Sequence, residues 1–157
     1  MNGLKRGISG TGTMKLIHKY EVPTGRIVTY ARFLCNYRPQ KEEKHRTRIT
    51  VGVYHINYQE NVTTRGAYMT TIKLLLNSVV STPDAIFMTA DINNFYLNTE
   101  TEIPEYMKIQ INLIPQEIME EYNVLEYVVN GFAYLKINKG MYGLPQAGKP
   151  ANDKLIK

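Results

Sequence analysis

The chain has one cysteine, Cys35, no tryptophan, and no apolar run approaching the ~18 residues that a membrane-spanning helix needs. A single thiol closes no internal disulfide, and His18, His45 and His55 have no cysteine or histidine at zinc-ligand spacing. Disulfide scaffolds, thiol relays and zinc sites are therefore excluded. No transmembrane helix is expected. Met1 to Gly12 places no apolar stretch of signal-peptide length behind Lys5 and Arg6, so the expected setting is intracellular, cytoplasmic or nuclear. Aspartate is sparse as well: Asp84, Asp91 and Asp153 are the only three, and no two are adjacent.

What is present is the composition of a globular domain. The 157 residues are 43% hydrophobic and 21% charged, which fits one ordinary domain or a piece of a larger one with a core of its own. The net charge of +5 is gathered at the front: residues 1–60 carry 11 Lys/Arg against 4 Asp/Glu, whereas residues 61–157 carry 8 against 10. Tyr20, Tyr30, Tyr37, Tyr54 and Tyr58 interleave with the front charges. That mixture suits a polyanion, such as a nucleic-acid backbone or a nucleoside triphosphate, and equally suits a solvated basic face with no partner.

Residues 1–21, which open rich in Gly, Ser and Thr, are expected to be flexible. The β-branched and aromatic strings Arg26 to Asn36 and Arg48 to His55 predict a hairpin over 26–55 with a polar tip from Arg38 to Arg46. Met69, Ile72, Leu76 and Val79 recur every three or four residues and predict a helix between Thr63 and Ser81, capped by Thr63 or Thr64 and ended by Pro83. Ala85 to Ala90 reads as a buried strand, Glu105 to Ile111 as another after Pro104, and Pro115 to Tyr122 as a short helix. Asn130-Gly131, between Tyr127–Val129 and Phe132–Leu135, predicts a type I′ hairpin turn. A last helix is expected over 145–157, disturbed near its start by Pro150.

One segment stands out chemically: Phe87-Met88-Thr89-Ala90-Asp91-Ile92-Asn93-Asn94-Phe95-Tyr96-Leu97. A carboxylate closing an apolar strand presents a fixed oxygen ligand at a sheet edge, and an aromatic five residues later can wall a pocket beside it. Taken singly, Asp91 serves as well for a turn or helix cap, and Phe95 and Tyr96 for core aromatics. Gly143 to Lys149 has the spacing of a phosphate-binding P-loop, but Pro150 stands where the loop needs Ser or Thr, which argues against an ATPase.

The Asp91 segment resembles the first motif of reverse transcriptases, in the form found in copia-type LTR retrotransposons. Two further blocks resemble the same family in the same order. Arg46-Thr47-Arg48-Ile49-Thr50-Val51-Gly52 looks like the basic fingers strand, and Lys139-Gly140-Met141-Tyr142-Gly143-Leu144-Pro145-Gln146-Ala147 looks like the loop and helix after a palm hairpin. The resemblance covers residues 22–157. It implies an α/β, right-hand polymerase-like fold with a fingers hairpin at 26–55, palm elements at 63–144 and the start of a following helix at 145–157. It also implies RNA-directed DNA synthesis on an RNA template, a DNA primer and deoxynucleotides.

By this resemblance Asp91 is the catalytic carboxylate and, with the main-chain carbonyl of Ile92, a ligand of Mg²⁺ or Mn²⁺. Arg48, with Arg46 and Lys41, faces the triphosphate; Tyr96 lies beneath the sugar, where its bulk excludes a 2′-hydroxyl; Gln146 meets the nucleotide from the opposite side. Arg46 and Arg48 serve equally as solvated charges, and Gln146 equally as a helix-start residue. The family's second motif, an aromatic followed closely by two adjacent aspartates, is missing, so the expectation is a truncated region with little or no polymerase activity alone. The alternative is a non-enzymatic nucleic-acid-binding remnant; a product with no partner is a third.

Overall fold

The computed structural model describes residues 4, 10–52, 56, 62–63 and 66–156. The expected last residues of the first hairpin (53–55), the candidate cap Thr64 and the terminal Lys157 lie outside them. Among the described residues, six strands make one curled, open, mixed sheet, accompanied by three helices. Strands β1 (Met14–Ile17), β2 (Val28–Tyr37), β3 (His45–Val51), β4 (Glu100–Gln110), β5 (Val128–Val129) and β6 (Phe132–Lys139) are ordered β1-β6-β4-β2-β3, and β5 also pairs with β6. These pairings are antiparallel except β2 with β4, where Val28–Tyr30 run parallel to Tyr106–Lys108.

The expected first hairpin is present, with Ala31 opposite Val51 and Tyr37 opposite His45, and its tip is largely exposed. Strand alternation then builds the core. Ala133, Leu135 and Ile137 of β6 face Met107 and Ile109 of β4, with Met14 and Leu16 of β1 and Val51 of β3 in the same cluster. Met107, Ile109, Ile137 and Val51 are almost wholly withdrawn from water, each contributing roughly 1.5–3 kcal/mol by burial. Helices α2 (Gln116–Glu121) and α3 (Gly148–Ile156) add Ile118 and Ala151 to the buried set. Asn130 and Gly131 have φ of 52° and 79°, as a type I′ turn requires. Pro150 falls in the first turn of α3, where its missing amide breaks no helical bond.

Four expectations need correction. Within the N-terminal segment expected to be flexible (1–21), residues 14–17 form β1, because Met14, Leu16 and Ile17 find a long-range partner in β6. Pro104 does not delimit a strand: β4 begins at Glu100 and absorbs the proline in a register shift between Glu100 and Glu105. The predicted helix begins six residues later than Thr63, as α1 (Met69–Ser81), and none of its residues is buried; Leu74 is 66% exposed and Val80 86%. Ala85 to Ala90 forms no strand and is exposed throughout, since no strand among the described residues takes up its backbone groups. Among the described residues, no helix is long and apolar enough to cross a membrane.

Candidate functional site

Asp91 lies in the irregular stretch between α1 and β4, not at the end of a strand. After it the chain turns at Asn94, whose φ is 54°, and enters a short 3-10 turn over Tyr96–Asn98. Asparagine tolerates this left-handed conformation better than most residues. The turn is pinned from both sides: Thr99 Oγ1 donates to the Phe95 carbonyl at 2.9 Å, and the Gly140 amide donates to the Thr99 carbonyl at 2.7 Å.

Two glycines allow that pinning. A Cβ on Gly140 would stand 2.6 Å from the Tyr96 carbonyl oxygen, and one on Gly143, whose φ is 95°, would collide with the backbone of Val51. The loop between them lies against β3, where the Val51 amide donates to the Tyr142 carbonyl at 2.9 Å. Tyr142 is thereby set between Tyr96 and the arginines of β3. Its ring is 6.3 Å from that of Tyr96 at an interplanar angle of 67°, and the Arg48 guanidinium carbon is 5.4 Å from its centroid.

The result is an open cleft of about 400 Å³ into which Arg46, Arg48, Asp91, Ile92, Tyr96 and Tyr142 all project a surface. Arg46 and Arg48, two apart on β3, share a face of the strand. Arg48 Nε is buried and has no hydrogen-bond acceptor among the described residues. An unpaired buried donor of this kind costs about 1–3 kcal/mol. Asp91 is exposed, and no group of three His, Cys, Asp or Glu side chains suited to a metal ion occurs among the described residues.

Two of the sequence candidates lie elsewhere. Lys41 is on the exposed tip between β2 and β3, its amide donating to the Arg38 carbonyl at 3.1 Å, and it does not line the cleft. Gln146 is 4% exposed and does not line the cleft: its Nε2 donates to Glu105 Oε1 at 3.0 Å, and Glu105 Oε2 accepts from Arg26 Nη2 at 3.0 Å. Gln146 borders a second cavity of about 510 Å³, near Lys149 and Asp153. Conversely, neither Tyr142 nor Glu105 was singled out from the sequence. Tyr142 had a signal, its position between Gly140 and Gly143, which marks close backbone approach; Glu105 had none. No family model matches the chain, and neither do any curated proteins or solved structures.

Proposed function

We propose that the chain is a fingers and partial palm region of an RNA-directed DNA polymerase of the copia-type retrotransposon class. Its cleft then receives the triphosphate and sugar of a deoxynucleotide opposite an RNA template and DNA primer. One observation carries the reading: Arg46 and Arg48 share a cleft with Asp91, Ile92 and Tyr96, more than forty residues away in sequence, and Arg48 Nε lacks an acceptor among the described residues. Guanidinium groups bind phosphate oxygens in pairs, and an aromatic ring at the cleft wall excludes a 2′-hydroxyl by bulk.

The donors present do not make a two-ion site. One carboxylate, Asp91, and the carbonyl of Ile92 are too few hard ligands to hold two divalent cations against water. In this reading Mg²⁺ or Mn²⁺ chemistry requires carboxylates beyond the three separated aspartates of this sequence, and the chain alone transfers little or nothing. The sparse acidic set also favours a second reading, a nucleic-acid-binding remnant without catalysis.

Titration with a fluorescent deoxynucleoside triphosphate separates them. The polymerase reading expects measurable binding that weakens about tenfold or more in Arg46→Ala/Arg48→Ala, the loss of charge-assisted bonds. Affinity equal in both proteins overturns it. No triphosphate binding, with salt-sensitive binding of an RNA/DNA hybrid retained, selects the remnant.

A further inference from the structure

The sheet face opposite the main core carries cations and rings in register. Across the strands, Lys15 pairs with Lys136, Lys136 with Tyr106, and Tyr106 with Val28; one row along, Ile17 pairs with Tyr134, Tyr134 with Lys108, and Lys108 with Tyr30. A third row sets Phe132 opposite Gln110. Paired residues on neighbouring strands point to the same side, so these three rows share one face, and none of their members is acidic. Glu105, the nearest carboxylate along β4, alternates away from this face and is bonded to Gln146 and to Arg26, whose guanidinium carbon also lies 5.9 Å from the Tyr106 ring centroid.

On this face Ile17, Tyr106 and Tyr134 are buried, with Val22, Val28, Val129 and Phe132 packed against them, whereas Tyr30 at the edge of that cluster remains 49% exposed. Lys108 Nζ lies 4.6 Å from the Tyr30 ring centroid and 4.8 Å from that of Phe132, and the two rings meet edge to face at 6.1 Å. A solvated ammonium held between two rings is a small gain by itself. The same triad has the parts of a base-stacking platform: a ring with an open side, a second ring bracing it, and a cation beside them for the phosphate.

We infer that this face binds single-stranded nucleic acid, with a base stacked on Tyr30 against Phe132 and the flanking phosphates on Lys108, Lys136 and Lys15. The face is separate from the Asp91 cleft, since none of these residues lines it. The inference does not rest on the polymerase reading. Charge decides the class of partner, because three lysines with no carboxylate in their rows suit a polyanion. The exposed ring selects a nucleic acid among polyanions.

Because the chain has no tryptophan, Tyr30→Trp installs a unique fluorescent reporter. A labelled oligothymidylate of about 12 nucleotides, followed by anisotropy, should quench the indole emission of the Tyr30→Trp variant on binding, with affinity about tenfold weaker in Tyr30→Ala and near wild type in Tyr30→Phe. Lys108→Ala should reduce the dependence of log affinity on log salt by about 0.7, the loss of one phosphate contact. Unquenched indole emission at saturation overturns the inference. So does Tyr30→Ala binding as wild type, or competition by polyglutamate as effective as competition by unlabelled oligothymidylate. Melting curves of Tyr30→Phe and Tyr30→Trp check that the variants fold. Triphosphate titration of Tyr30→Ala keeps the two surfaces apart, since retained triphosphate affinity with lost oligonucleotide binding places the defect on this face alone.

Discussion

Replacing Gly140 with alanine tests the packing that holds Tyr96 in the cleft. The added methyl would stand 2.6 Å from the Tyr96 carbonyl oxygen and 3.3 Å from its carbon, with the Ala147 Cβ at 3.6 Å. Both of the tightest contacts are backbone, so no flexible side chain can yield. The same residue's amide donates to Thr99 at 2.7 Å, which couples the end of β6 to the 3-10 turn carrying Tyr96. Overpacking of this kind costs roughly 1–3 kcal/mol. Gly25 is the control: its φ is 86° and its Cβ would meet nothing within 4 Å, so Gly25→Ala feels only the left-handed backbone penalty of about 1–2 kcal/mol. Gly143 combines positive φ with the collision against Val51, and Gly143→Ala should lose more than either. Urea unfolding followed by tyrosine fluorescence and circular dichroism gives the three stabilities. Gly140→Ala should also weaken triphosphate binding, which Gly25→Ala should not. If Gly140→Ala is as stable as wild type, or if Gly143→Ala loses less than Gly25→Ala, the close approach of the 140–143 loop to Tyr96 and β3 is wrong.

Arg26→Ala leaves the nearly buried Glu105 carboxylate with Gln146 as its one remaining partner among the described residues, and should cost about 1–3 kcal/mol in a thermal melt. Arg38→Ala, which breaks the exposed pair with Glu43, should cost under ~1 kcal/mol. At the β5–β6 turn, Asn130→Gly should be within a few tenths of a kcal/mol of wild type and Asn130→Ala about 1 kcal/mol worse, since φ is positive there; chemical denaturation reads the order. On α1, Leu74→Glu with Val80→Glu should change stability by less than about 0.5 kcal/mol while lowering self-association in light scattering. Loss of folding would mean that these side chains are covered.

Local signals were the legible ones. Alternating Val, Ile, Thr and aromatic residues announced β2 and β3, Asn130-Gly131 announced its own turn, and the spacing from Met69 to Val79 announced α1. Each depends on interactions within a few residues. That spacing left open what, if anything, α1 packs against, because burial depends on a partner surface rather than on periodicity, and none of its residues is buried. Ala85 to Ala90 misled for a related reason: a β-prone string becomes a strand only when another strand supplies hydrogen bonds. β1 escaped notice because four residues beside a Gly-rich stretch carry little local signal, and its partner lies about 120 residues away in β6.

For the site, alternation already put Arg46 and Arg48 on one face of a strand, and the spacing from Asp91 to Tyr96 put an aromatic wall near the carboxylate, although the strand expected to carry Asp91 does not form. Chain chemistry alone thus named Arg46, Arg48, Asp91, Ile92 and Tyr96 of the cleft, because propensity and side-chain direction are local, but not Tyr142, and it added Lys41 and Gln146, which lie elsewhere. The meeting of the cleft residues was decided in three dimensions. Gly140 and Gly143 permit two backbone approaches that bring Tyr142 between β3 and the Tyr96 turn, and Glu105 draws Gln146 away to satisfy a buried carboxylate. Both outcomes turn on contacts between residues 41 or more positions apart, which excluded volume and the cost of an unpaired charge select; the glycines mark that a close approach occurs, but nothing local names the partner.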